Sequence, residues 1–394
     1  MMPDSKHIVV AANPFGFGPV GNAIPILGEL VLRFSHRTDV CVHFVGSEKC
    51  QGIIPDFGRV KRTYLDERDE NKLVKFLQGL SGTIIVIGVQ NRFIINAGIF
   101  VGCKTMFVDV LAWMWRNIPD SHLVADDIFW MQFPGISEKL EFYPDVSERI
   151  HIVSGIYDTG NRKSRTVSED ILFCLGGGFN PLRDGTQSNY LSLAFAVLGM
   201  SKLSEANVSI TSGNDAADFL RKLPNRPVAW NISTFSHDEM IDKLSVARYL
   251  LSVGGQSSTM EAILSNVPVI FFIPSNLSQA LLQKKFASEI GMDDILWWKK
   301  FLTPLLVNIE YSSEKDFMEC LEKISGEILS NPEILINLTS SFDMMLNRLL
   351  VDENYLADLQ SIGKQIGSSG ASQMTDVIET FLYPVVSFGV GYDE

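Results

Sequence analysis

Residues 249–274, YLLSVGGQSSTMEAILSNVPVIFFIP, read as buried strand, glycine turn, helix and second buried strand. The apolar run at 250–253 leads into Gly254 and Gly255, which let the backbone turn close to a ligand. Gln256, Ser257, Ser258 and Thr259 follow, placing donors where a helix dipole is positive, an arrangement that holds phosphate. Glu261 is expected in the first turn of that helix, where a carboxylate accepts hydrogen bonds from a sugar diol. A nucleotide with a ribose fits this order better than a bare phosphate. The same residues also suit an ordinary strand-helix-strand unit, because helix capping alone favours Ser and Thr.

A second stretch carries the same signal. The strand-like ILFCL at 171–175 runs into Gly176, Gly177, Gly178, Phe179, Asn180 and Pro181. Consecutive glycines after a strand cost chain entropy and are usual where something must approach the backbone. The spacing is not the G-x-G-x-x-G of dinucleotide binding, which argues against a dehydrogenase. Placed in one domain with the Gly254 turn, Gly177 and Gly178 would grip a diphosphate from the opposite side.

Working outward, short apolar runs alternate with helical patterns along the chain, the mark of parallel sheets covered on both faces. Strands are expected at 7–11, 40–45, 83–88, 105–110, 127–133 and 149–153, with helices at 20–34, 69–80 and 93–101. The polar stretch YDTGNRKSRTVSE at 157–169 reads as a linker. A second alternation follows, with strands at 171–175, 207–211, 228–231, 250–253 and 269–273 and helices at 190–198, 216–223, 238–246, 260–265 and 278–290. The chain beyond 314 is helical. The fold class expected is α/β, with two Rossmann-like doubly wound parallel-sheet domains facing a cleft: 1–160, 161–365, and a C-terminal helix and tail at 366–394 packing back on the first domain.

The chain has 394 residues, enough for two domains, and 46% hydrophobic residues, enough for two large sheets. Its formal charge of -13 argues against a nucleic-acid partner, which calls for a basic surface. Five cysteines with no C-x-x-C pair read as reduced thiols of a cytoplasmic protein. The opening MMPDSKHIVVAANPF has too short an apolar run for a signal peptide, and no stretch reaches the length of a membrane span.

With these residues in hand, the chain resembles the two-domain nucleotide-sugar glycosyltransferases of the GT-B type, especially the UDP-sugar transferases and the N-acetylglucosaminyltransferase of peptidoglycan precursors. The match covers most of the chain and is strongest in the second half. There Gly254, Gly255, Gln256, Ser257, Ser258, Thr259 and Glu261, then NVPVIFFIP with Ser278 and Gln279, follow the family's phosphate, ribose and sugar positions. Phe235 falls in the stretch whose backbone meets the base. The resemblance implies transfer of a sugar from a UDP-sugar or dTDP-sugar to a small-molecule acceptor, inverting and without a required metal or cofactor. A nucleotide-sugar epimerase or hydrolase, or a non-catalytic nucleotide-sugar-binding subunit, is the alternative on the same fold.

The first half departs from the family where the chemistry should be. GPVGNAIPILGEL resembles the loop and helix of the catalytic base, but Asn22 stands at the histidine, and an amide accepts no proton at neutral pH. The aspartate expected to orient that histidine is also missing, with Gln90 and Asn91 nearby. Val253 replaces a phosphate-binding histidine. Asp109, ending TMFVD, and Asp127, preceding IFWMQF, are the other candidate catalytic residues, each with a carboxyl that apolar neighbours would push up, and each also readable as a turn or cap aspartate. His122 reads as a loop histidine and a further base candidate. Trp113, Trp115, Trp130 and Phe133 suit either an aromatic acceptor pocket or core, and Trp297 and Trp298, before Lys299 and Lys300, suit a surface near a partner or membrane. No D-x-D flanked by apolar strand announces a metal site.

Overall fold

The structure is a computed structural model and describes residues 5–15, 18–158, 168, 170–176, 188–224, 226–307 and 313–384. Its strands are β1 (Lys6–Ala12), β2 (Val40–Gly46), β3 (Lys61–Tyr64), β4 (Thr83–Val89), β5 (Lys104–Asp109), β6 (Asp127–Met131) and β7 (Ile150–Val153), then β8 (Ile171–Cys174), β9 (Val208–Thr211), β10 (Trp230–Ser233), β11 (Tyr249–Ser252) and β12 (Val269–Phe271). The first seven form one sheet in the order β3-β2-β1-β4-β5-β6-β7 and the other five a second in the order β10-β9-β8-β11-β12, all pairs parallel. Both sheets are doubly wound. The strand order reverses between β1 and β4 in the first and between β8 and β11 in the second, and such reversals open a ligand crevice at the carboxyl ends.

Helices α1 (Gly18–Arg33), α2 (Glu48–Gln51), α3 (Glu70–Gln78), α4 (Arg92–Val101) and α5 (Ile136–Leu140) accompany the first sheet. Helices α6 (Ser188–Met200), α7 (Asn214–Arg221), α8 (His237–Val246), α9 (Gln256–Leu264) and α10 (Leu277–Glu289) accompany the second, followed by α11 (Thr303–Leu306), α12 (Glu314–Leu329), α13 (Pro332–Leu349), α14 (Glu353–Ile366) and α15 (Gly370–Leu382). Successive strand residues face opposite ways. Val9, Val86, Phe107 and Ile128 therefore meet Leu73 of α3 and Ile94 of α4 on one face. Ile8, Val10, Ile85 and Ile87 meet α1 on the other, in a core that continues into the second sheet through Ile156 and Tyr157. Among the described residues no helix is long and apolar enough to cross a membrane.

Several elements differ from the sequence expectation for physical reasons. The β3 strand, KRTY, was not expected: it is a sheet edge with polar residues and no buried face, so it carries no apolar alternation. The strand expected at 228–231 begins at Trp230, and Val228 is 100% exposed, because Pro227 accepts a turn bond from Trp230. The helix expected at 260–265 begins at Gln256, since Gly255 has extended backbone and α9 starts directly after it.

Helix α15 lies against α1 and β7. Arg33 of α1 pairs with Asp376 at 2.7 Å and Glu379 at 2.8 Å. Just past α15, the Tyr383 ring lies 3.5 Å from Lys6 Nζ and 3.8 Å from the Arg37 guanidinium carbon, and its hydroxyl donates to Asp39 at 2.8 Å. Gly370 is in such close contact that an added Cβ would stand 2.1 Å from the Ser154 carbonyl oxygen.

Candidate functional site

The two glycine turns meet at the reversal point of the second sheet. Strands β8 and β11 are neighbours with Cys174 opposite Ser252, and Gly176 and Gly254 follow them with φ of +68° and +95°. These are left-handed conformations that glycine adopts without strain. A Cβ at Gly254 would stand 2.8 Å from the Gln279 carbonyl oxygen and 3.1 Å from Gln283 Cγ; one at Gly176 would stand 3.2 Å from Gln279 Nε2. Gln279 thus touches both turns. The Gly254 N–H donates to Ser252 Oγ, and Ser252 and Thr259 hydroxyls bond at 2.8 Å, both buried. Thr259 is therefore a fastener beneath the turn, correcting its expected place among the phosphate donors.

Helix α9 opens on Gly255 with no side chain capping it. Its first-turn N–H groups, from Gln256, Ser257 and Ser258, lack acceptors within the helix and carry the positive end of its dipole. Ser258 Oγ donates to the Gly255 carbonyl at 3.2 Å. Gln256 contributes its backbone only. Its side-chain Nε2 donates to the Val110 carbonyl and to Tyr157 Oη, both at 3.0 Å, and its Oε1 accepts from Trp113 Nε1 at 3.1 Å. The Gln256 side chain is thus a latch between the two halves, and its backbone N–H alone is left at the turn.

Glu261 is in the second turn of α9, not the first, because the helix begins four residues before the expected start at 260. It is buried. Its charge reaches Tyr157, Cys174 and His237. His237 opens α8, beside the capping Ser236–Glu239 pair, with a side chain only 8% exposed and Nε2 3.2 Å from Asp158. Burial opposes its protonation, but the Asp158 bond and the fields of Glu261 and the neighbouring aspartates raise its pKa above 6.5. Sequence reading missed this Asp158–His237 pair. The available signal was a histidine at a helix start after the third strand of the second alternation, with an aspartate in the linker.

The sugar-facing candidates are engaged. Ser278 Oγ donates to Asn276 Oδ1 at 2.9 Å, and Gln279 Oε1 accepts from Ser275 N and Oγ at 2.7 and 2.8 Å. Glu314 accepts from the N–H groups of Leu277 and Ser278, so the α10 N-terminus is already occupied by a carboxylate whose pKa burial raises. Phe235 lies between β10 and α8, packed against the core with Lys243 Nζ 4.8 Å from its ring centre. Gly177 and Gly178 lie outside the described residues.

In the first half, Asn22 is buried on α1. Its Nδ2 donates to the Ile156 carbonyl at 2.7 Å and its Oδ1 accepts from Ser257 Oγ at 3.4 Å. It bridges α1, the chain leaving the first sheet and α9. Gln90, in a left-handed turn at φ +52°, donates to Asp109 Oδ1. Asp109 is fully buried at the carboxyl end of β5, accepting also from Leu111 N at 2.9 Å and bonding His122 Nδ1 at 2.9 Å. His122 is thus an aspartate-held imidazole, its side chain 12% exposed, between the rings of Phe107 and Trp115.

Asp127 is corrected in both respects. It begins β6, at the amino edge of the sheet, away from the carboxyl-end crevice. Burial opposes its ionisation, but His151 at 2.9 Å and Lys104 at 2.8 Å outweigh it and hold the carboxyl below its ordinary range, the reverse of the expected shift. Trp130 and Phe133 are core, while Trp113 stacks on Phe133 at 4.5 Å. Trp297 and Trp298 are also buried, donating to the Phe271 carbonyl and Gln283 Oε1, which corrects the surface reading.

No protein-family model and no curated protein sequence matches this chain. Among solved structures it is similar to S. aureus MnaA in a co-structure with UDP, at 9% identity over 96% of this chain and 97% of that one, with a TM-score of 0.54. It is similar to LpCGTa in complex with UDP at 11% identity over 96% and 99%, TM-score 0.54. Arabidopsis thaliana UGT89C1 complexed with UDP is similar at 11% identity over 86% of this chain and 100% of that one, TM-score 0.50. The fold is that of the GT-B glycosyltransferases, two Rossmann-like domains with parallel sheets of seven and five strands.

Proposed function

We propose that this chain transfers a sugar from a UDP-sugar or dTDP-sugar to a small-molecule acceptor. The observation that carries the reading is the uncapped start of α9 beside two left-handed glycine turns, at the strand reversal of the second sheet. Three structures of the same fold hold UDP. In displacement at the anomeric carbon the departing diphosphate gains charge, and preorganised N–H groups stabilise charge that develops in the transition state. Amides of Gly255, Gln256, Ser257 and Ser258 would serve there, with Glu261 toward the ribose and Gln279 toward the sugar.

Asn22 has both amide atoms engaged and takes no proton, so the base lies elsewhere. His122, with Nδ1 fixed by Asp109, has the arrangement of a general base: one nitrogen oriented by a carboxylate, the other left to accept. Asp109 is then its positioning partner. Asp109 ends β5, immediately before the Val110 and Trp113 contacts to Gln256. The engagement of Asn22 and Gln90 favours a second reading, a nucleotide-sugar-binding subunit without turnover.

Calorimetry with UDP and dTDP, followed by UDP release from UDP-sugars over an acceptor panel, tests both. The transferase reading expects diphosphate binding and acceptor-dependent release, with His122→Gln slowing release at unchanged UDP affinity. Binding without release across the panel favours the subunit; no diphosphate binding removes both.

A further inference from the structure

We infer a transition-metal site of zinc type at the amino edge of the first sheet, formed by His7 of β1 with Cys41 and His43 of β2. Among the described residues these are the only three histidine, cysteine or carboxylate side chains whose ligand atoms all lie within 4.8 Å of one another. The placement follows from the sheet. His7 pairs in register with Cys41, and Val9 with His43, so all three residues face the same side, beneath α3, where His43 also meets the Phe76 ring edge-on. The site is about 17 Å along β1 from the carboxyl-end crevice, at about 3.3 Å per residue. It is separate from the proposed sugar-transfer site.

His7 Nδ1 and His43 Nε2 stand 3.0 Å apart. Tetrahedral zinc with bonds of about 2.05 Å to nitrogen and about 2.3 Å to sulfur needs about 3.3 Å between two nitrogens and about 3.6 Å between nitrogen and sulfur. A small spreading of the imidazoles and a turn of the Cys41 side chain bring the three atoms to those separations. His7 Nε2 lies 3.1 Å from the Ser81 carbonyl. Metal-bound histidines use their other ring N–H in this way, which fixes Nδ1 as the ligand atom. Two imidazoles and one thiolate suit zinc, and cobalt as its spectroscopic substitute, over magnesium or calcium, which require oxygen. Half-buried Cys41 leaves the fourth position to water. Lys61, opposite His43 on β3, is the opposing charge, and its side chain is exposed to solvent that screens it.

The test uses the full chain without a histidine tag. Zinc content after chelator dialysis and competitive zinc titration are measured for the wild type, Cys41→Ser and His7→Gln, with far-ultraviolet dichroism to check folding; both residues are half-buried, so the variants should fold. The expected result is one zinc per chain, weakened at least about tenfold in each variant, since even outer-shell partners are worth that much. Cobalt should give a thiolate charge-transfer band that Cys41→Ser abolishes. Equal zinc affinity in wild type and folded variants, or no cobalt-thiolate band, overturns the site and leaves a plain histidine-histidine hydrogen bond.

Discussion

At the crevice between β1 and β4, the polar side chains are tied into the protein: Asn13 donates to the Gln90 carbonyl, Gln90 to Asp109, and Asn22 to Ile156. At the crevice between β8 and β11, the turns present backbone instead, with Gly176 and Gly254 in left-handed conformations and α9 uncapped. Both crevices arise from the same winding, so topology alone does not make a site. The difference lies in which polar groups remain for a ligand. The second crevice keeps main-chain donors, whereas the first has committed its side-chain amides to bonds within its own half, with Asn22 alone also reaching α9.

The sharpest way to break this contrast is Gly254→Val. A side chain there meets the Gln279 carbonyl at 2.8 Å and forces a branched residue to φ +95°, a strain of about 1–3 kcal/mol. UDP binding should vanish in calorimetry, whereas Asn13→Ala in the first crevice should leave it within about twofold. UDP binding that survives Gly254→Val places the ligand elsewhere.

Next in size is Glu261→Gln, expected to weaken UDP about 10- to 150-fold, the worth of about 1.5–3 kcal/mol for a hydrogen bond to a charged group. The loss should shrink for 2′-deoxyuridine diphosphate, which lacks one hydroxyl of the diol; an equal loss for both nucleotides counts against the ribose placement.

Asn22→Ala should separate stability from binding. The Ile156 carbonyl loses its buried donor, and the unfolding free energy should fall about 1–3 kcal/mol in urea titration. UDP affinity should stay within about twofold; a large drop in affinity would erase the distinction between the crevices.

The smallest effect concerns pH. His237 has a raised pKa in the folded protein, so its stabilising contribution is complete below 6.5 and is lost as pH rises through the raised value. The wild type should lose stability over that window more steeply than His237→Gln, as read by thermal melting in matched buffers. Parallel slopes would exclude His237 as the titrating group.

The sheets were legible because buried parallel strands leave dense apolar runs such as HIVVAA and TIIVIGV, and because glycine turns punctuate them. Edge strand β3 was not, having no apolar face to announce it. The glycine turn at Gly254 was readable from the sequence, whereas the fate of each side chain there was not. Gln256 and Thr259 sit among apparent phosphate donors, yet one crosses to the other half and the other turns into the core, a choice set by partners 99 to 146 residues away for Gln256 and by the neighbouring strand for Thr259. The same holds for Asp109 and His122, thirteen residues apart in sequence and joined only by the turn after β5. The reversed shift at Asp127 came from the His151 hydrogen bond and the Lys104 ammonium, on the two adjoining strands.

The return of α15 onto α1, through Arg33, Asp376 and Glu379, with Tyr383 beyond it wedged between Lys6 and Arg37, has a consequence for biosynthesis. The strands that leave the ribosome first receive their outer cover last, after every residue of the other half has been made. Until then the flank of α1 and the last strand of the first sheet stay bare, so a nascent chain halted before 370 would expose that flank to chaperones while its glycine turns were already in place.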